Sequence, residues 1–534
     1  MKYKHITPGL ASQSFLWLKR RAIPVKWLVS CVVVGVSVAS LAEATPAWAR
    51  EPISWVSIGR NGKLAYGSDE RGNRIPDFST AGYQAGNAIP EVKTVRRLDA
   101  PSGGDDTAAI QAGLDALSRN PLNDAGLRGA LELGPGKFIV SGSLKISASG
   151  VVLRGAGVGK TILLADGEHG PVLSIEGTGT WRRKGELLRI EDEYVPVGAT
   201  SIRIRGAGGL KAGDRIIVQR PLTQEWISAV GMDRLPARAK GGEVNQWRPG
   251  PGLLFDRTVV AVAGDRIDLN APLTNSLSSA DGPVVWRYEF DGRISNVGIE
   301  RLSASEDGPA TAPAGKRGER ARSHFLVFNA VENGWIRDVV IEGYVSAIDF
   351  RKTASGISAQ RMKIGASPEI KRHGALPITV SIDGQNILVS DCELSGGSYI
   401  AWATQSFAPG PNVVRNCKAT GDRVSAQAHQ RWATGLLFDN ITVTGGIQLG
   451  NRGNMGTGQG WSSANGVLWN SSATTWSVEN PPTAYNWAFG MRGRLAQSKE
   501  PLGEIISPGQ PMKPQSLYEQ QLSDRAGRSV GQGR

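Results

Sequence analysis

A short motif returns every two to three dozen residues through the second half of this 534-residue chain. Each copy is a run rich in β-branched and large apolar residues that ends in Asp or Asn, and the clearest end points are Asp391, Asn416 and Asn440. The steps are 25 residues (391 to 416) and 24 residues (416 to 440). A period of this length indicates a solenoid, whose units bury their apolar faces only against the next unit. Short strands closed by Asn, Asp and Gly turns make each unit a coil of β-strands, so the repeat predicts a parallel β-helix.

The first 49 residues have the pattern of an export signal. A basic region that ends at Lys26 precedes the apolar run 27–41, and Ala47-Trp48-Ala49 supplies a cleavage site. The apolar run is short for a membrane span. We therefore expect cleavage after Ala49, a secreted or periplasmic location, and no membrane span in the mature chain.

Net charge suggests the kind of partner. Residues 1–49 contain six Lys or Arg and one acidic residue, so cleavage lowers the net charge from +13 by 5 to +8. A positively charged exported protein is suited to bind acidic polymers. The sequence has no helix-turn-helix, zinc or RNA-binding motif that would favour nucleic acid. We expect a monomer whose partner is an acidic polysaccharide.

Composition and rhythm divide the chain into five segments. The run 104–107 opens an amphipathic helix with Ile110, Leu114 and Leu117 on one face, which predicts a cap over the first coil. The expected segments are the signal peptide (1–49), an N-terminal segment with the capping helix and first coils (50–165), an inserted small β module (166–290), the main parallel β-helix coils (291–490) and a polar, partly disordered C-terminal tail (491–534). The predicted fold is therefore all-β.

Two cysteines remain after signal cleavage. Cys392 and Cys417 occupy the same position in consecutive coils, so they should lie about one strand spacing apart, ~4.8 Å. A disulfide is possible in an oxidising compartment, but this geometry strains it. Two buried, reduced thiols are the favoured prediction.

A dense set of polar and aromatic residues lies between positions 415 and 490. Loops at the same corner of successive coils lie side by side, so these residues should converge on one face. An indole ring can cover the apolar C–H face of a sugar. The catalytic candidates here are His429 and Arg431. The candidates for substrate binding are Trp432, Asn451, Arg452, Gln459 and Trp461.

A second cluster, Lys371-Arg372-His373-Gly374, ends an insertion that lengthens one coil. Arg372 and His373 are catalytic candidates, because a cation can neutralise a uronate carboxylate and a histidine can accept its proton. A solvated basic loop is the alternative interpretation.

We predict no metal site and no cofactor. The repeated residues Asp338, Asp391, Asn416 and Asn440 are expected to form a hydrogen-bonded ladder that satisfies backbone groups at each corner. The coil region has no ligand set with metal spacing. A Ca²⁺ site assembled from separate coils is possible but is not indicated by the sequence.

Several stretches resemble members of a known family. Three segments of this chain resemble the opening of right-handed β-helix proteins of the pectate-lyase superfamily, namely residues 104–111, 133–138 and 152–157. Three later segments are similar to an exported bacterial branch of the same superfamily, namely residues 429–435, 451–453 and 458–461. The resemblance covers most of 95–165 and 294–525, and it implies a right-handed parallel β-helix. It does not fix a reaction, because the superfamily holds lyases, hydrolases and binding proteins.

The favoured function is a polysaccharide lyase acting on a uronate-containing glycan by β-elimination. This reaction needs a base for the proton beside the carboxyl group and a cation for the enolate, which His429 and Arg431, or Arg372 and His373, supply.

Two alternatives stay open. A glycoside hydrolase on the same fold needs two carboxyl groups, for which Asp383, Glu393 and Asp422 are candidates. The third possibility is a non-catalytic glycan-binding protein.

Overall fold

The computed structural model describes residues 53–166, 170–239, 241–306, 324–344, 346–365 and 376–527. The predicted signal peptide and the basic cluster with Arg372 and His373 lie outside the described residues. None of the described helices is long and apolar enough to cross a membrane. Within the described ranges, the α-helices are Thr107–Ser118, Gln224–Ala229 and Leu517–Arg525, and 3₁₀ segments lie at Arg205–Gly209 and Ser279–Asp281.

Among the described residues, 26 strands form one continuous sheet of parallel pairs. The chain winds through this sheet in coils, and equivalent strands of successive coils pair in three stacks. The inward side chains of each stack are aligned from one coil to the next. Examples at paired positions of successive coils are Val389, Val414, Phe438 and Leu468. The predicted right-handed parallel β-helix with a capping helix and an inserted module is confirmed.

Three long strands each contribute to stack 1 with their first half and to stack 2 with their second half. These strands are Ile294–Glu306, Val331–Glu342 and Ser355–Gly365. Stack 1 also contains Thr94–Leu98, Gly129–Leu133, Val151–Gly155, Gln385–Ser390, Asn412–Arg415, Leu436–Asp439, Val467–Trp469, Trp487–Phe489 and Glu504–Ile506.

Stacks 2 and 3 share three bent strands, Thr442–Leu449, Ser472–Val478 and Arg492–Leu495. The other strands of stack 2 are Gly136–Val140, Thr161–Ala165, Glu393–Ser395 and Lys418–Thr420. The other strands of stack 3 are Leu144–Ile146, Pro171–Glu176, His324–Asn329, Ser346–Phe350, Ile378–Ile382, Ser398–Thr404 and Arg423–Ala428.

The repeated Asp and Asn residues form the corner between stacks 1 and 2. Asp391, Asn416 and Asn440 have φ values of 57°, 50° and 54°, in the left-handed region that Asn and Asp tolerate best. The side-chain amide of Asn416 donates to Oδ1 of Asp391 at 2.6 Å. Cys392 and Cys417 follow directly as buried, unbonded thiols, and Sγ of Cys417 accepts from the backbone N–H of Cys392 at 3.4 Å.

The helix Thr107–Ser118 closes the first coil. Ile110, Leu114 and Leu117 are buried against the coil core, as the amphipathic pattern predicts. Asp106 ties the start of this helix to the coil, because its carboxylate accepts from the backbone N–H groups of Ser102 at 2.8 Å and Ile139 at 3.1 Å.

The inserted module lies between Glu176 and Ile294. It starts later than the predicted position 166 because Pro171–Glu176 pairs with neighbouring coil strands on both sides. Its six-stranded antiparallel sheet has the order Arg182–Arg189, Val284–Glu289, Arg215–Leu222, Gly250–Ala263, Arg266–Leu269 and Ser201–Arg203. Two further short strands, Tyr194–Val195 and Leu277–Ser278, pair with each other, and Ala433–Thr434 pairs with Ser463–Ala464 in the coil region.

The two ends of the described chain cover the outside of stack 1. The N-terminal hairpin pairs Val56–Ile58 with Leu64–Tyr66, and Phe78 is buried with the outward stack 1 residues Leu388 and Leu437. The tail expected at 491–534 instead continues the coils and ends in the helix Leu517–Arg525. Residues 528–534, where disorder is predicted, lie outside the described residues.

Candidate functional site

Polar side chains run along the outward face of stack 3. Inward positions such as Ile348, Ile382 and Ile447 are buried and apolar, and the residues between them point outward because side chains alternate along a strand. Adjacent coils are about 4.8 Å apart in a sheet. We call this row the polar strip, and it comprises Asp349, Ser381, Asp383, Gln405, Gln427, His429 and Gln448.

Arg452 organises one end of the polar strip. Its Nε donates to Oε1 of Gln459 at 2.6 Å, and its Nη1 donates to Oε1 of Gln427 at 2.7 Å and to Oε1 of Gln448 at 3.0 Å. Nδ1 and Nε2 of His429 lie 2.7 Å and 3.1 Å from the amide nitrogens of Gln427 and Gln459. We call these five residues the Arg452 cluster. The structure thus brings the candidates His429, Arg452 and Gln459 into direct contact.

His429 is held neutral by this arrangement. Burial, together with the charge of Arg452, lowers the pKa of His429 to about 4. Because Arg452 only donates hydrogen bonds, it holds the amide oxygens of Gln427 and Gln459, and both amide nitrogens face the imidazole. A protonated ring would place an N–H against each of them. A weakly basic histidine whose lone pair is already in use is a poor general base.

Arg431 lies beside the cluster through its backbone. Its N–H donates to the carbonyl oxygen of Gln459 at 3.0 Å, and its φ is 48°. The guanidinium is partly exposed and forms no hydrogen bond or ion pair with any residue in the described ranges. Among the sequence candidates in the described segments, Arg431 keeps the most hydrogen-bonding capacity for a ligand.

The sugar-stacking role expected for Trp432 and Trp461 is wrong. Their exposures are 1% and 3%, and both belong to the core that the coils share with the inserted module. The indole N–H of Trp432 donates to Asn275 at 2.9 Å, and its ring packs edge-on against Trp226 at 4.7 Å. Both indoles are buried in this shared core, so they are not available to a sugar.

Asn451 has a structural environment. Its side-chain amide donates to Glu500 at 2.8 Å, and its side-chain oxygen accepts from the N–H of Gly453 at 2.8 Å. Its backbone N–H donates to Glu479 at 2.7 Å. These bonds shape the loop that carries Arg452, which indicates a supporting position rather than direct substrate contact. The remaining candidates, Arg372 and His373, lie outside the described residues.

Asp383 and Asp349 give the polar strip two carboxyl groups in different environments. Burial raises the pKa of Asp383 to about 6, Lys352 opposes the shift and the charge of Asp349 adds to it. The Asp383 carboxyl group has no hydrogen bond or ion pair within the part of the chain that the structure describes. Asp349 forms an ion pair with Arg351 at 3.3 Å.

The other carboxyl candidates do not join Asp383. Glu393 lies on stack 2, where it pairs with Lys363 at 3.8 Å, and Asp422 lies in the turn before the next stack 3 strand. No group of three or more His, Cys, Asp or Glu residues in the described ranges has the arrangement of a metal site.

The fold and the polar strip define the class as a parallel β-helix protein with a module inserted between its coils. No protein-family model matches the chain, and no curated protein is similar to it in sequence. Membership of the pectate-lyase superfamily therefore stays a prediction.

Solved structures with a similar fold include bacteriophage tailspike proteins. The tailspike protein gp49 from Pseudomonas phage LKA1 is 16% identical at a TM-score of 0.38, with 73% of this chain and 56% of that chain covered. The Gp54 tailspike of Acinetobacter baumannii bacteriophage AP22, in complex with a capsular saccharide, is 11% identical at a TM-score of 0.38, covering 76% and 63%. The tailspike protein of Escherichia coli bacteriophage HK620, in complex with a pentasaccharide, is 10% identical at a TM-score of 0.39, covering 82% and 60%. This chain spans less than two thirds of each.

Proposed function

We propose that this protein binds a polysaccharide along the polar strip and cleaves it by hydrolysis. The strip crosses five coils from Asp349 to Gln448, which corresponds to ~19 Å at the spacing of paired strands. A row of amides, hydroxyl groups and carboxyl groups on a rigid face suits an extended polymer of hydroxyl-rich units. Export of the protein, as its first 49 residues predict, would bring it to such polymers outside the cytoplasm.

The observation that carries the proposal is the pair Asp383 and Asp349. Glycoside hydrolysis needs one carboxyl group that holds a proton for the leaving oxygen and a second that is ionised. The environment of Asp383 favours its protonated form. Asp349 lies beside the cation of Arg351, with which it forms an ion pair at 3.3 Å. Asp383 is therefore the proposed general acid, and Asp349 the proposed base or nucleophile.

β-Elimination is the second candidate. The guanidinium of Arg431, which has no partner among the described residues, favours it, since a cation must neutralise the carboxylate beside the abstracted proton. The weak basicity of His429 counts against it. Hydrolysis therefore ranks above β-elimination in the described part of the site.

The test is product analysis on a panel of acidic and neutral polysaccharides. Hydrolysis produces new reducing ends, whereas β-elimination also produces an unsaturated sugar that absorbs ultraviolet light. Asp383→Asn should lower turnover by about 10²-fold or more, the usual contribution of a general acid, while polymer binding is retained. Asp422→Asn, on an exposed turn, is the matched control and should be fully active.

The pH profile gives a second measurement. Because Asp383 must be protonated to act as an acid, turnover should fall as the pH rises through about 6. Full activity of the Asp383→Asn variant would refute the hydrolytic assignment. Unsaturated products would establish β-elimination in its place.

A further inference from the structure

The Arg452 cluster carries a positive charge that no carboxylate in the described ranges neutralises. Arg452 forms no ion pair with any described acidic residue, and its three hydrogen-bond acceptors are neutral amide oxygens. It differs in this from Arg154 and Arg337, which share the buried carboxylate of Glu300. A partly buried cation normally has a counter-charge, since desolvation of an uncompensated charge is costly.

The unused hydrogen-bonding groups of this cluster are mainly donors. Within the described chain, Nη2 of Arg452 and the side-chain amide nitrogen of Gln448 have no acceptor, and neither has the guanidinium of Arg431. The oxygens of Gln427, Gln448 and Gln459 already accept from Arg452. His429 is neutral and adds no negative charge. A group that completes this site must therefore supply acceptor oxygens, and a negative charge would also balance Arg452.

We propose that the Arg452 cluster is a subsite for an anionic substituent of the bound polysaccharide, such as a carboxylate, sulfate or phosphate group. Arg452 and Gln448 would donate to its oxygens, and Arg431 would add a second cation. The assignment of this anion to a glycan rests on the proposed function, whereas the anion site itself rests on the geometry of the cluster.

The position of the subsite has a consequence for the reaction. In three successive coils, the residue that comes directly after the paired end of the stack 3 strand is Asp383, Gln405 and His429 in turn. The subsite at His429 therefore lies two coil steps, ~10 Å, from Asp383. An anionic group bound there is away from the bond that Asp383 would cleave. β-Elimination needs the carboxylate on the sugar at the cleaved bond, so this subsite selects the polymer without assisting elimination at Asp383.

The experiment is an anion titration of the full protein with ¹³C-labelled histidine, followed by NMR. The probes are sodium sulfate, sodium phosphate and sodium acetate at constant ionic strength set with sodium chloride, and N-acetylglucosamine serves as a neutral acceptor. The His429 signal is assigned with the His429→Gln variant. At least one anion should shift this signal saturably, and the comparison of the three shows which anion geometry the site prefers.

Two variants of the cluster test the assignment. Gln448→Glu places a carboxylate beside Arg452 with nearly unchanged shape, so it should neutralise the site while keeping the protein folded. Arg452→Gln removes the charge. Both should weaken anion binding by about ten-fold or more, the loss expected when a charged hydrogen-bonding partner is removed. Arg494→Gln, on an exposed coil surface, is the control and should leave binding unchanged.

The proposal is overturned if no anion shifts the His429 signal, if N-acetylglucosamine alone does so, or if Gln448→Glu binds anions as tightly as the natural protein. These outcomes are independent of polysaccharide cleavage. Asp383-dependent cleavage without anion binding would refute the subsite and leave the proposed function intact. Anion binding without any polysaccharide activity would support the anion site and count against the proposed function.

Discussion

Removing the negative charge of Glu300 should destabilise the protein strongly. Glu300 is fully buried between stack 1 and the N-terminal segment. Its Oε1 accepts from Nε of Arg154 at 2.6 Å, and its Oε2 accepts from Nε of Arg337 at 2.7 Å and from the indole of Trp335 at 3.3 Å. Arg154 also donates to the carbonyl oxygen of Val92 at 2.8 Å. One carboxylate therefore links three successive coils, and Arg154 connects them to the segment that covers them.

The expected magnitude follows from what Glu300→Gln leaves behind. The amide keeps the shape of the side chain, but its NH₂ group would face a donor on Arg337 or Arg154. The side chains of Arg154 and Arg337 are only 8% and 10% exposed. Water therefore has little access to solvate the two guanidinium groups once the carboxylate is removed. Removing one partner of a buried charge network costs about 3–5 kcal/mol. Glu91, which reaches Arg337 at 3.0 Å but is 85% exposed, compensates little.

Urea unfolding followed by tryptophan fluorescence measures this change, since Trp335 contacts the network. The matched control is Glu393→Gln, whose partner Lys363 lies 3.8 Å away with both side chains well exposed. An exposed pair contributes about 0–1 kcal/mol. Hydrogen exchange near Val92 should rise in the Glu300 variant alone. Equal free energies of unfolding for the two variants would refute the reasoning.

Three further predictions concern the site and the chain ends. The folded pKa of His429 is about 4, against 6.5 for an ordinary histidine, so the unfolded state takes up a proton first and stability should fall by about 3 kcal/mol as the pH drops from 6.5 to 4. An unfolding titration should show this loss, and His429→Gln should lack it. Trp432→Ala should cost about 3–5 kcal/mol as a core substitution, and a calorimetric change below about 1 kcal/mol would contradict its burial. Asp439 accepts hydrogen bonds from the hydroxyl of Ser516 at 2.6 Å and from the N–H of Tyr518 at 2.9 Å. Asp439→Ala should therefore lower the free energy of unfolding by about 1–3 kcal/mol and speed proteolysis of the C-terminal helix. Unchanged cleavage there would show that other contacts hold the helix.

The fold could be predicted because its signal is local and repeated. The corner at Asp391 and Asn416 needs a left-handed residue in every coil, so the sequence carries the same residue types at each step. The amphipathic capping helix is also visible in a short window. The C-terminal coils were missed because Arg492–Leu495 and Glu504–Ile506 are short, and their pairing partners, rather than their own residues, make them strands.

The candidate site was predictable only in part. His429, Arg452 and Gln459 were expected on one face because equivalent loops of successive coils lie side by side, and the structure places them in contact. Gln427 and Gln448 were missed, although Gln427 lies two residues before His429 and so shares its strand face. The burial of Trp432 could not be read locally, because the residues that cover it, such as Trp226, are about two hundred positions earlier.

The inserted module explains both the error and the shape of the site. It interrupts the sequence but not the stacking, since Pro171–Glu176 pairs directly with His324–Asn329 across the insertion. The module then contacts the loop that carries Arg452: the N–H of Asn245 donates to the carbonyl oxygen of Thr457 at 2.8 Å, and Nη1 of Arg238 donates to that of Gly456 at 2.9 Å. Arg452 and Gln459 lie at the two ends of a loop that the module contacts through these hydrogen bonds. The geometry of the Arg452 cluster is therefore a property of both parts together.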